Sequence, residues 1–140
     1  MHLGSSQTRQ NASMNNAKDA ESRAIGVDED EAGTRATLAR NGAAFASGDL
    51  EAILANYSDD AIVIRPGCSY RGREAIRGMF EEVQANFTGL VPQSASTTVA
   101  GRFALMTWTA TSASGRVVQG VDSFVVVDGL IVAQTYMGGV

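Results

Sequence analysis

From Asp28 onward the chain carries two hydrophobic rhythms, one helical and then one of period two. In the first stretch Thr34, Leu38, Asn41, Gly42 and Phe45 fall on one helical face, and Gly48 is placed to end that helix. The acidic run from Asp28 to Glu31 suits a helix start, because carboxylates favour the positive end of the helix dipole. Asp49 then caps a second helix whose stripe is Leu50, Ile53, Leu54 and Tyr57. The run Ala61-Ile62-Val63-Ile64 predicts a short strand ended by Pro66-Gly67, with Cys68 and Tyr70 in the loop beyond. A third helix follows Gly72, with Ile76, Met79, Phe80, Val83 and Phe87 on one face.

From Ser94 alternation takes over and predicts four strands, 94–99, 103–112, 117–127 and 130–136. Asp128-Gly129 between the last two is a strong signal for a two-residue hairpin. The order ααβαββββ gives an α+β domain over 28–140, its three helices packed on a strongly bent antiparallel sheet. Residues 1–27 are polar, lack periodicity and read as an arm outside the core.

Composition narrows the chemistry. The chain has 140 residues and a net charge of −4, with no Lys/Arg cluster, which argues against a nucleic-acid partner. It has one Cys and one His, and His2 lies in the arm, so disulfide frameworks, His-based triads and Cys- or His-rich metal sites are not expected. Neither a metal nor a cofactor is expected. No apolar run reaches the length of a membrane span, so a cytoplasmic protein is expected.

Asp122 is the sharpest candidate for chemistry. Between Thr88 and Val140 the charged residues are Arg102, Arg116, Asp122 and Asp128, and only Asp122 lies in mid-strand. Its neighbours are apolar on both faces of the strand, so the carboxyl must be paired, protonated or facing a wet cavity. Arg65, at the end of the first strand, either snorkels to solvent, binds an anion or pairs with Asp122. Asn41 interrupts an apolar stripe, where an amide can orient or hydrogen-bond but is not a proton-transfer acid. Met106 and Trp108 share one strand face, which suits either the wall of an apolar pocket or a plug of the core or of a dimer interface. The lone Cys68 lacks the basic neighbours of a nucleophile, and Arg71 and Arg73 read as parts of a solvated face.

Four local patterns carry a resemblance. They are Ala46-Ser47-Gly48-Asp49-Leu50, Tyr57-Ser58-Asp59-Asp60-Ala61, Gly72-Arg73-Glu74-Ala75-Ile76, and Gly120-Val121-Asp122-Ser123-Phe124 followed by Asp128-Gly129-Leu130-Ile131. Together with the element order they resemble the nuclear-transport-factor-2-like superfamily, in its branch of ketosteroid isomerases and SnoaL-like cyclases. The resemblance implies a cone-shaped α+β barrel, with a deep apolar pocket between helices and sheet, commonly dimeric. By the same resemblance Asp122 matches the oxyanion-hole aspartic acid of ketosteroid isomerases. Arg65 stands where those enzymes carry their base and Asn41 where they carry a tyrosine, so efficient steroid isomerisation is not expected. Gln134 and Tyr136 would line the cavity, and Ile76, Met79, Phe80, Phe45 and Phe124 would join Trp108 and Met106 in binding a substrate.

The reading that results is a cofactor-independent enzyme using acid/base chemistry of the isomerase, dehydratase or cyclase type. Its catalytic candidates are Asp122, Tyr136, Asn41 and Arg65, and its ligand a small, largely apolar molecule that an arginine would prefer anionic. The alternative is a non-catalytic ligand-binding or dimerisation module of the same fold. An epoxide hydrolase of the limonene type fits less well, because the Asp-Arg-Asp constellation is missing. A homodimer through the sheet face away from the helices is expected, because Val121, Val125 and Val127 leave that face apolar.

Overall fold

The structure, a computed structural model, describes residues 28–86 and 89–138. The arm 1–27 and the stripe residue Phe87 lie outside the described residues. Helix α1 (residues 28–47) ends at Gly48, whose φ of 72° is the left-handed conformation that glycine adopts without strain. Asp49 caps α2 (Leu50–Leu54), its side chain accepting from the Ala52 N–H at 3.2 Å. The longest helix after that, α3 (Arg73–Asn86), buries Ile76, Met79 and Phe80.

Six strands form one sheet: β1 (Tyr57–Arg65), β2 (Cys68–Arg71), β3 (Val91–Ala100), β4 (Phe103–Thr111), β5 (Val117–Val127) and β6 (Leu130–Gly138). Their order is β2-β1-β6-β5-β4-β3, an open sheet with β2 and β3 at its edges. The antiparallel sheet expected from the sequence is mixed, because β1 and β6 run parallel, with Val63 beside Gln134. Periodicity reports which side of a strand is buried and is silent on its partner. The join is made where the Ile131 N–H bonds the Asn56 carbonyl at 2.8 Å, seating the start of β1 against the start of β6.

Two further corrections concern the second helix and the loop after it. Tyr57 is the first residue of β1 and does not belong to α2. Pro66-Gly67, read as the end of a strand, is a hairpin turn pairing Arg65 with Cys68, with Gly67 at φ 78°. Cys68 and Tyr70 therefore sit on β2. The Asp128-Gly129 turn forms as expected, both residues at positive φ, joining Val127 to Leu130.

The core lies between the helices and the inner face of the sheet. Ile53 and Leu54 of α2, Tyr57, Ala61 and Val63 of β1, Phe124 and Val126 of β5 and Ile131 of β6 meet Ile76, Met79 and Phe80. A register shift opposite Val125 and Val126 lets Ile131 and Gln134 both face inward although they are three residues apart.

Candidate functional site

Asp122 points inward from the middle of β5 and is 7% exposed. Its register neighbours are Met106 on β4 and Tyr136 on β6. Its carboxylate is reached along the diagonals of the ladder. Trp108 Nε1 donates to Oδ1 at 3.0 Å, and Gln134 Nε2 donates to Oδ2 at 2.9 Å. Burial pushes the Asp122 carboxyl above the usual carboxylate range, and the hydrogen bonds from Trp108 and Gln134 oppose that shift in part.

Trp108 holds this geometry because the two positions beneath its ring, Gly120 and Gly138, carry no side chain. It lies opposite Gly120, and a Cβ at Gly120 would fall 2.2 Å from Cζ2 and 2.8 Å from Nε1 of the indole. At Gly138 the corresponding distance to Cζ2 is 2.9 Å. The ring therefore lies across two glycines with its N–H aimed at Asp122.

Behind Gln134 the network runs on into the core. The Tyr57 hydroxyl, fully buried, donates to Gln134 Oε1. The Asn41 amide lies near the same hydroxyl and lowers its proton affinity, and its own Oδ1 accepts from Asn56 Nδ2 at 3.4 Å. Asn56 Nδ2 also donates to the Ala52 carbonyl of α2 at 3.1 Å. Burial holds the Tyr57 hydroxyl well above its usual range, the Asn41 amide offsets some of this, and the charge of Asp122 adds to it. Tyr136 is raised as well, first by burial and then by Asp122, with Arg65 acting the other way. Among the described residues no buried side-chain polar atom lacks a partner.

The sequence candidates distribute as follows. Asp122, Gln134, Trp108, Met106 and Tyr136 share one face and one end of the sheet. Arg65 is directed elsewhere: it pairs with Glu82 at 3.5 Å and lies 5.4 Å from the Tyr70 ring centroid. Among the described ion pairs none joins it to Asp122, so the Arg65–Asp122 pairing is not formed. Asn41 does not touch the Asp122 carboxylate; it hydrogen-bonds Asn56 and lowers the proton affinity of the Tyr57 hydroxyl. Ile76, Met79, Phe80 and Phe124 are core residues, and Phe45 is 49% exposed at the edge of Phe80.

Two contributors escaped the sequence reading. Tyr57 closes the apolar stripe of Leu50, Ile53 and Leu54 and is its only member with a polar tip needing a partner. Arg73, read as part of a solvated face, forks onto the Tyr57 carbonyl through Nε at 2.9 Å and Nη2 at 2.7 Å. Its Nη1 meets Asp59 at 2.9 Å. This clamp fixes the backbone from which the Tyr57 side chain enters the core.

A hollow of about 560 Å3 is lined mainly by residues that alternate away from Asp122, among them Thr107, Gln119, Val121 and Met137. It lies on the outward face of the sheet. On the inner face the Trp108 indole and the Gln134 amide occupy the space beside the carboxylate.

Helices followed by a curved, unclosed six-stranded sheet with an inward-facing polar centre define an α+β cone fold of the nuclear-transport-factor-2-like kind. Residues 38–134 match the model of the SnoaL-like domain, and the chain belongs to that family. No curated protein matches it. Among solved structures it is similar to a protein of this fold and unknown function from Burkholderia xenovorans LB400, with 22% identity and a TM-score of 0.65, over 78% of this chain and 84% of that one. It is also similar to a candidate polyketide cyclase from Xanthomonas campestris pv. campestris, at 20% identity and TM-score 0.64, covering 76% and 90%. A candidate isomerase of the SnoaL-like family from Agrobacterium tumefaciens str. C58 matches at 20% identity and TM-score 0.54, covering 66% and 85%.

Proposed function

We propose that this protein is an enzyme of the isomerase, dehydratase or cyclase type that moves a proton on a small, largely apolar molecule, with Asp122 as the transferring group. The observation that carries this reading is a buried carboxyl with no cation beside it among the described residues, held at both oxygens by neutral donors. Burial raises its proton affinity toward the range where general acid/base catalysis works best at neutral pH. Each carboxylate oxygen keeps a lone pair after accepting one hydrogen bond, so a substrate proton still has an acceptor. The half-buried Tyr136 and Met106 border the carboxyl, Tyr136 offering a hydroxyl to hold a developing oxyanion. Arg65 follows Ile64, which pairs with Thr135, so it stands at the Tyr136 end of the sheet, where an anionic group on the ligand would compete with Glu82 for it. Steroid isomerisation remains a poor fit, since no carboxylate occupies position 65.

The elementary step common to these reactions is removal of a proton next to a carbonyl. It is read by mass spectrometry as deuterium uptake from heavy water into a panel of enolisable apolar ketones. We expect uptake above the buffer rate for at least one ketone, falling by about 100-fold or more in Asp122→Asn. Uptake at the buffer rate for the whole panel, or equal uptake by the variant, overturns the reading. A non-catalytic binding module is the second reading, favoured by the fact that both carboxylate oxygens already have partners within the protein. Saturable quenching of Trp108 fluorescence by the same panel, without deuterium uptake, is its signature.

The proposal extends to a homodimer through the outward face of the sheet. Phe103, Leu105, Val121 and Met137 are exposed there, Phe103 by 64%, and the outward positions 103–111, 119–125 and 133–137 carry no charge. An apolar patch depleted of charge has the composition of an interface core.

A further inference from the structure

From Tyr57 to Asp122 the hydrogen bonds run in one direction, and behind them Asn56 donates both to the backbone and to Asn41. The Ala52 carbonyl can only accept, so Asn56 must turn its nitrogen toward it, and the same nitrogen donates to Asn41 Oδ1. Asn41 is then left with its NH2 for the Tyr57 hydroxyl. The Tyr57 hydroxyl, whose proton affinity the Asn41 amide lowers as a donor does, gives its single proton to Gln134 Oε1. Gln134 in turn has only its NH2 to offer Asp122. Four side chains from α1, the end of α2, β1 and β6 thus relay the polarity of one helix carbonyl to a carboxyl on β5.

We propose that Asn41 and Tyr57, neither of which touches the carboxyl in the structure, are positioning residues that set the protonation state of Asp122 by fixing which end of the Gln134 amide faces it. With the Tyr57 proton on Oε1, the amide nitrogen points at Asp122 and favours the carboxylate. Without it the amide is free to turn its oxygen toward Asp122, and an amide oxygen favours the protonated acid. The relay therefore works against burial, and the balance of the two decides whether the resting enzyme presents a base or an acid. This deepens the reading of Asp122 as the proton-transferring group and takes its significance from it, although the relay itself needs no substrate. The other titratable groups coupled to Asp122 are Tyr57 on β1 and Tyr136 on β6. Arg65 acts on Tyr136 and is tied to Glu82, while β4 presents Trp108 and Met106, neither of which titrates. The residues of α3 in the core, Ile76, Met79 and Phe80, do not titrate either.

The test follows the Asp122 carboxyl carbon by NMR in protein labelled at aspartate, without ligand, and assigns it by its loss in Asp122→Asn. In Tyr57→Phe and in Asn41→Leu we expect the titration of Asp122 to move up by about one pH unit, the size of one hydrogen bond to a charged group. Ile53→Val loosens the same core without touching the relay and should leave the titration where it was. An unmoved titration in folded Tyr57→Phe or Asn41→Leu overturns the proposal, as does an equal shift in Ile53→Val. If Tyr57→Phe does not fold, Asn41→Leu, at a half-buried helix position, decides it. Absence of deuterium uptake by the wild type would sink the enzymatic reading and leave this result standing, because the titration is read on the free protein.

Discussion

At Gly120 a hydrogen stands where any side chain would meet the Trp108 indole at under 3 Å from its ring atoms. The same indole supplies one of the two hydrogen bonds on Asp122, so backbone spacing on β5 and the state of the carboxyl are linked through one ring. Gly120→Ala should destabilise the protein by about 1–3 kcal/mol through overpacking, measured by urea denaturation. It should also change the emission of the single tryptophan, because the ring must lift from its glycine floor and release Asp122. An unchanged spectrum with wild-type stability would mean that the ring has room to spare. At this scale the sequence had already exposed Asp122, through a charge in mid-strand with apolar neighbours. It had no means of exposing Tyr57, because a tyrosine at helical spacing from Ile53 looks like any other apolar residue until its hydroxyl is seen to have a partner 77 residues away.

Among the elements, the start of β1 carries the most structural consequence. Tyr57 leaves α2 after a two-residue break, and its carbonyl is held by two guanidinium nitrogens of Arg73 at the head of α3. A planar fork can make both bonds and still reach Asp59; an ammonium makes them one at a time. Arg73→Lys keeps the charge and should nevertheless lower stability by about 1 kcal/mol in urea denaturation. Asp59→Asn should matter less, because the Asp59 side chain is 91% exposed and its ion pair is screened by water. Equal stability of Arg73→Lys and wild type would show that the clamp is dispensable. The elements themselves were mostly legible. Three helices and four of the later strands follow from two periodicities, and the turns from glycine and proline. The four-residue β2 was not, because so short a segment has no period to read, and Pro-Gly serves a strand end and a hairpin equally well.

For the molecule as a whole, the two faces of the sheet divide the work. The inner face is closed by helices and holds the polar network, whereas the outer face exposes Phe103, Leu105, Val121 and Met137 to solvent in the isolated chain. Leu105→Glu places a charge in the centre of that patch, and sedimentation velocity at micromolar concentration should find a dimer for the wild type and a monomer for the variant. The Asp122 titration should be unaffected, since Leu105 faces away from it. A monomeric wild type at that concentration would remove the dimer from the proposal and leave the inner site untouched. Among the described residues no helix is long and apolar enough to cross a membrane.

The sequence by itself determined the helical half and the stranded half, the faces of most strands, the hairpin at Asp128-Gly129 and the oddity of Asp122. These are local quantities, set by spacing along the chain and by the conformations that particular residues allow. Only the tertiary structure decided that β1 runs parallel to β6, that Arg65 turns to Glu82 instead of Asp122, and that the Tyr57 hydroxyl meets Gln134. Each of these depends on which of several equally capable partners lies within 3 to 4 Å once the chain is packed. A donor or acceptor in a sequence states what it can bond, and the fold alone supplies the atom that it meets.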